Sequence, residues 1–335
     1  MKRIALAALI GIGAAACGTA STDVDFDEPV PTLFADDDPS DTQQATTTTA
    51  PPIGVDDVDP EALPGPVAEA AGVVVFDSVA AAVVDDDGTT WTVETPCGAL
   101  RSGDTPRPTT AVVVLDPSGD AGSASGADAL ARNATLAALI RDRLAVAEIT
   151  AITTRAAPAD VAAAYRSRVA DAAGARVVVS IALVDGAGEP GPEPALEVVH
   201  PAADAESRRL AGLVHEAVAP VIERFSVGWP DDVEPGVRAV LNQRGGDYFT
   251  VLQAPSAADR AVVHLPVDPA VADTVWSSEA NLAPIGDAIA DAIVRHLVTE
   301  DEGSGFVAPP EVVRDAAAVD PAATCVDPPA LSEAP

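Results

Sequence analysis

Positive charge and aromatic side chains are both scarce in this chain. Lysine occurs once, at Lys2, and every other basic residue is arginine. Lys+Arg total 19 against 52 Asp+Glu, a formal net charge of −33. That shortage excludes a nucleic-acid binder, which needs clustered Lys/Arg to displace counterions from phosphate. It also excludes docking on anionic lipid headgroups. Aromatics are 3% of the 335 residues, so the core must be built from Val, Ala, Leu and Ile, with less area buried per side chain. After residue 20 no apolar run reaches the ~18 residues that a membrane span needs. Hydrophobic content is nevertheless 48%, which excludes disorder of the whole chain. The length suits about two domains at ~150 residues each.

The first residues read as an address. Met1-Lys2-Arg3 is a short basic start, and Ile4 to Ala16 is apolar and small. This is the pattern of a secretory signal peptide over residues 1–16. Ala14-Ala15-Ala16-Cys17 resembles a bacterial lipobox, which makes Cys17 the expected lipid attachment site; ordinary cleavage near Ala16 is the alternative. The expected location is the outer face of the bacterial cytoplasmic membrane, facing the cell wall and held there by a lipid anchor only. Export leaves Cys97 and Cys325 in an oxidising compartment, where two thiols make one expected disulfide; two buried free thiols are the alternative.

Residues 17–66 read as a disordered acidic Thr/Pro tether. They hold Asp36-Asp37-Asp38, Thr46 to Thr49 and Pro51-Pro52, and cannot bury enough surface to offset chain entropy. Fifty such residues span ~40 Å as a coil. Residues 67–105 read as a small β unit, with strands at Gly72–Phe76 and Trp91–Glu94 and a turn at Asp86-Asp87-Gly88. Pro96-Cys97-Gly98 is expected to end it, and Arg101 to Pro108 reads as a linker.

Over residues 108–300 strands and helices alternate. Apolar runs at 111–115, 149–153, 176–181, 196–199 and 260–265 read as strands. Leu130, Ala134, Ala137, Ile140 and Leu144 recur at helical spacing, and so do Val161, Tyr165, Val169 and Ala172. A third helix carries Leu210, Val214, Ala217 and Val221, with Pro220 kinking or ending it. Leu282, Ile285, Ile289, Ile293 and Leu297 mark the last helix. The expected fold is α/β, a single mixed, mostly parallel sheet flanked by helices and preceded by the small β unit. Residues 301–335 read as an irregular tail.

Several strings fall in a telling order. Val112 to Pro117 reads VVVLDP, and Thr154-Arg155 closes the next strand. Arg166, Ala170-Asp171 and Gly174-Ala175 precede Val177 to Ile181. Leu196 to Val199, Leu210-Ala211, Val251-Leu252 and Ala261 to Val263 follow. Together they resemble the zinc-dependent N-acetylmuramoyl-L-alanine amidases of bacterial cell walls, over about residues 111–299. The resemblance implies one zinc at the carboxyl ends of the strands, held by His, Glu and His, with a glutamate base late in the chain. Three protein ligands would leave zinc one open position for water, whose pKa falls to about 7.

Matched residue by residue, the ligand positions fall on Gly119, Ala131 and Ala182, and the base position on Leu265, or on His264 if the register slips by one. None of the three ligand positions carries a donor side chain. The resemblance therefore implies a scaffold whose zinc site is lost and a chain without a cofactor. Of the four histidines, His296 is expected to pack near the last helix's apolar stripe and His215 to lie on the surface beside Glu216; His200 ends a strand. No two share a local metal-binding spacing. Asp116 and Asp120 read as loop carboxylates. The leading expectation is a catalytically inactive amidase-like module that binds peptidoglycan or regulates a cell-wall hydrolase. The alternatives are an active amidase with atypical ligands and a structural acidic lipoprotein.

Overall fold

A computed structural model describes residues 53–76, 79–118, 126–155, 161–185, 196–223, 236–253, 257–267, 276, 278–303, 310–313 and 327. The signal peptide, Cys17, most of the tether, Gly119, Asp120 and Cys325 lie outside the described residues.

The first strands are β1 (Val73–Phe76), β2 (Val79–Asp86), β3 (Trp91–Glu94) and β4 (Leu100–Gly103), an antiparallel sheet in the order β1-β2-β3-β4. The turn at Asp86-Asp87-Gly88 forms as the sequence predicts. Asp87 Oδ1 accepts from Thr89 N at 2.8 Å and Thr90 N at 2.7 Å, and Asp86 Oδ1 accepts from Gly88 N. Two expectations need correction. Pro96-Cys97-Gly98 does not end the unit but turns β3 into β4, and part of the expected linker, Arg101–Gly103, is strand paired to Trp91–Val93. The reason is local: Thr95 Oγ1 accepts from Ala99 N and closes the turn.

The second sheet contains β5 (Val113–Pro117), β6 (Ala151–Thr153), β7 (Val177–Asp185), β8 (Glu197–Val199), β9 (Gly236–Arg238) and β11 (Asp259–Val267). A further strand, β10 (Val240–Asn242), follows β9. The order is β6-β5-β7-β11-β8-β9. The first four strands run parallel; β8 turns antiparallel to β11, and β9 follows β8 in parallel. The helices are α1 (Gly126–Val146), α2 (Ala163–Ala173), α3 (Ala205–Ile222), α4 (Thr250–Gln253) and α5 (Glu279–Val298). This is the expected mixed, mostly parallel α/β sheet flanked by helices.

Alternation along the strands divides the core in two. Leu115, Val179, Ile181, Val263 and Leu265 share one cluster with apolar residues of α1, α3 and α5. Val114, Val178 and Val262 share the other with Tyr165 and Val169 of α2, Leu252 of α4 and the β1–β2 strands. Fully burying each Val, Leu or Ile contributes roughly 1.5–3 kcal/mol before entropy is charged.

Helix ends follow the sequence. Asp204 caps α3, accepting from Glu206 N at 3.1 Å and Ser207 N at 3.2 Å. Pro220 does not stop α3 at once; the helix runs to Ile222, two residues beyond. Gly174 ends α2 with φ 70°, and an added Cβ there would lie 2.6 Å from Ala70 Cβ. The tail is not wholly irregular. A short strand, β12 (Glu311–Val313), pairs in parallel with β10. No helix among the described residues is long and apolar enough to cross a membrane.

Candidate functional site

Parallel strands bring their carboxyl ends to one side, where polar groups can meet without interrupting the apolar layers. Here β5 ends in Asp116-Pro117, and Asp116 is the centre of a buried polar knot. Its Oδ1 accepts from Thr154 Oγ1 at 2.6 Å and its Oδ2 from Ser180 Oγ at 2.9 Å. Arg166 of α2 places Nε 3.3 Å from Oδ1, and both side chains are 1% exposed. Asp116 is thus a strand carboxylate, not the expected loop carboxylate.

The same edge is pinned to α1 by Asn133. Its Nδ2 donates to Ser118 O at 2.6 Å, and its Oδ1 accepts from Leu183 N at 3.0 Å. Arg155 Nε donates to Pro117 O at 2.8 Å. These bonds fix how β5 and β7 leave the sheet.

The positions matched to the family's ligands and base are not all gathered together. Ala182 lies on β7 and pairs across to His264 on β11. Leu265 pairs with Leu183, points to the opposite face and is fully buried in the cluster under α1, α3 and α5. Ala182 and Leu265 therefore cannot face one pocket, because neighbours on a strand alternate. His264 is the β11 residue on the face of Ala182. Ala131 sits on α1 and is exposed. Gly119 lies outside the described residues.

His264 belongs to a chain of polar contacts that the sequence did not announce. Its Nδ1 is 2.6 Å from Glu197 Oε2 on β8, its cross-strand partner. Arg238 of β9 places Nε 2.9 Å from Glu197 Oε1, and its Nη1 is 3.6 Å from Glu311 Oε2 on β12. Phe249 meets the His264 ring edge-on at 5.1 Å between centroids. Glu197 and Arg238 come from segments forty residues apart, so only the sheet order reveals their pairing.

The other histidines differ in role. His296 is buried, as expected, with Nε2 2.8 Å from Asp259 Oδ2. His215 is not on the surface: it is 5% exposed, and burial pushes its pKa down to about 4. The cause is that α3 packs against both the sheet and α5, which covers the flank that carries His215. His200 is buried too; burial lowers its pKa, and its Nδ1 is 2.9 Å from Pro201 O.

Alanine side chains at 131 and 182 have no ligating atom, and no three His, Cys, Asp or Glu side chains are placed to hold a metal among the described residues.

No protein-family model matches the chain, and no curated protein matches it. Solved structures are similar to part of it. The catalytic domain of CwlV, an N-acetylmuramoyl-L-alanine amidase from Bacillus (Paenibacillus) polymyxa var. colistinus, is 20% identical with a TM-score of 0.44, over 57% of this chain and 100% of that one. An N-acetylmuramoyl-L-alanine amidase from Clostridium difficile 630 is 18% identical with a TM-score of 0.43, over 58% of this chain and 100% of that one. The amidase AmiC2 of Nostoc punctiforme is 20% identical with a TM-score of 0.41, over 55% and 96%.

Proposed function

We propose that this chain is an exported, lipid-anchored protein of the bacterial cell envelope, and that its amidase-like α/β domain is a catalytically inactive module that binds peptidoglycan or regulates a cell-wall hydrolase. The ordered motifs between residues 111 and 299 support the family reading, and the signal-like start ending at Cys17 supports export.

The observation that carries the inactive reading is the state of the β7–β11 pair. Ala182 offers no donor where the family has a histidine. The nearest imidazole, His264, holds Glu197 through Nδ1, and among the described residues no three His, Cys, Asp or Glu side chains come together there to hold a metal. A hydrolase of this class needs a metal-bound water and a carboxylate to take its proton. The residues here supply neither at the matched positions.

The test uses the purified mature protein. Metal analysis is expected to find no stoichiometric zinc, and digestion of purified peptidoglycan to release no stem peptide, while the protein co-sediments with that peptidoglycan or with an active amidase acting on it. About one zinc per chain with chelator-sensitive release would overturn the inactive reading. Failure to sediment with either would overturn the binding reading.

A further inference from the structure

We propose that the cleft between the first turn of α3 and the β9–β10 edge binds a small organic carboxylate. The cleft encloses about 370 Å³ and lies where β8 and β9 end, away from Ala182 and the carboxyl ends of the parallel strands. It is separate from the peptidoglycan reading and does not rest on it.

Its walls have two characters. Ala203, Ala239, Leu241 and Pro310 give a small-residue apolar lining with room for a short aliphatic body. Arg208 and Arg238 give it a basic side, beside one carboxylate, Asp204, and the imidazole of His200. In a chain of net charge −33, two arginines at one cleft are unusual.

The arginines differ from the others around them. Arg208 is exposed and its side chain meets no acceptor among the described residues, whereas Arg209 next to it donates to Thr299 O and His296 O. Arg238 is 5% exposed: Nη2 is buried with no hydrogen-bond partner, and Nη1, 3.6 Å from Glu311 Oε2, is the nitrogen left to meet a ligand. A buried guanidinium with unmet donors costs free energy until an acceptor arrives. A carboxylate is the planar acceptor that an arginine fork matches.

Asp204 lines the cleft and Asp247, Glu197 and Glu311 stand near it, and several of their oxygens are already engaged. Asp204 accepts from Glu206 N, Ser207 N and Ser207 Oγ, and Asp247 Oδ1 accepts from Ala202 N. Glu197 is shared between Arg238 and His264. Glu311 is the acid a ligand would compete with. Burial and the nearby Arg208 charge lower the pKa of His200; with Nδ1 donating to Pro201 O, its Nε2 can accept from a ligand N–H but not donate to the carboxylate.

The experiment is a calorimetric titration of the full chain with trialanine, trialanine C-terminal amide and inorganic phosphate, in low-salt buffer. Trialanine is expected to saturate with a Kd of about 1 mM or tighter. The amide is expected to bind at least roughly ten-fold more weakly, the loss of a charge-assisted contact. Arg208→Gln and Ala203→Glu both change exposed positions, so folding should survive, and each should weaken trialanine by a similar factor. Arg244→Gln, an exposed arginine outside the cleft lining, should leave binding unchanged. Equal binding of acid and amide, phosphate saturating where trialanine does not, no saturation at all, or an equal loss in Arg244→Gln would each overturn the proposal.

Discussion

His264 and Glu197 hold each other across the β11–β8 pair, Nδ1 to Oε2 at 2.6 Å, on the one face of the sheet where Ala182 also stands. This contact orients the imidazole and ties it to Arg238 through the same carboxylate. Position 264 is thereby part of the fold's internal wiring, and its neighbour Leu265 is part of the apolar core.

Breaking the Asp116 knot should be costly. Asp116→Ala would leave Arg166 buried without its carboxylate and strip Thr154 and Ser180 of their acceptor. Removing one partner of a buried pair typically costs 3–5 kcal/mol. Chemical denaturation should show a loss of about that size, and a loss under about 1 kcal/mol would mean the knot is not what holds β5, β6 and β7 in register.

Acid should weaken the protein through His215. Its folded pKa of about 4 lies below its ordinary 6.5, so the unfolded chain binds the extra proton between those values. Stability is therefore full above about pH 6.5 and falls as pH drops toward 4, with His200 acting in the same direction. Between pH 7 and pH 5 the His215 share is about 2 kcal/mol. His215→Leu should flatten that part of the pH profile; an unchanged profile would show that the ring is not protonated on unfolding in this window.

Cys97 and Cys325 should form a disulfide in the exported protein. Cys325 lies outside the described residues, but its near neighbour Asp327 accepts from Thr95 Oγ1 at 2.8 Å and from Cys97 N at 2.9 Å. A loop that long is worth up to roughly 5 kcal/mol by chain entropy. Peptide mapping without reductant should find the linked pair, and two alkylatable thiols would refute it.

Lipidation at Cys17 is decided by mass spectrometry of the N-terminal peptide from membranes. A diacylglyceryl-modified Cys17 is expected. An unmodified cysteine, or a mature start elsewhere, would leave the protein plainly secreted.

Much of the fold was legible because its long strands are apolar runs. Arg176–Ile181 and Arg260–Leu265 read as strands and became the nine-residue strands β7 and β11. The elements that were missed are short or made of weak formers. Ala80-Ala81-Ala82 lies in β2, where packing against α2 decides the conformation rather than alanine's own preference. β9, β10 and β12 have three residues each and too little pattern to read. The site was less legible than the fold. The meeting of Glu197, Arg238 and Glu311 could not be read from the sequence, because it depends on β8 reversing beside β11 and on the tail returning to β10. His215 was misplaced because Glu216 beside it suggested solvent, while Glu216 in fact accepts from Arg295 Nη1 of α5.

The returning tail sets a limit on how far this protein can be shortened. A chain stopped after α5 would bare the outer edge of β10, remove the acid beside Arg238 and leave Thr95 Oγ1 without Asp327. An uncovered strand edge invites pairing with another molecule. Trimming the Pro/Ala-rich end for expression, a natural choice from its composition, would thus leave a strand edge open to a second molecule.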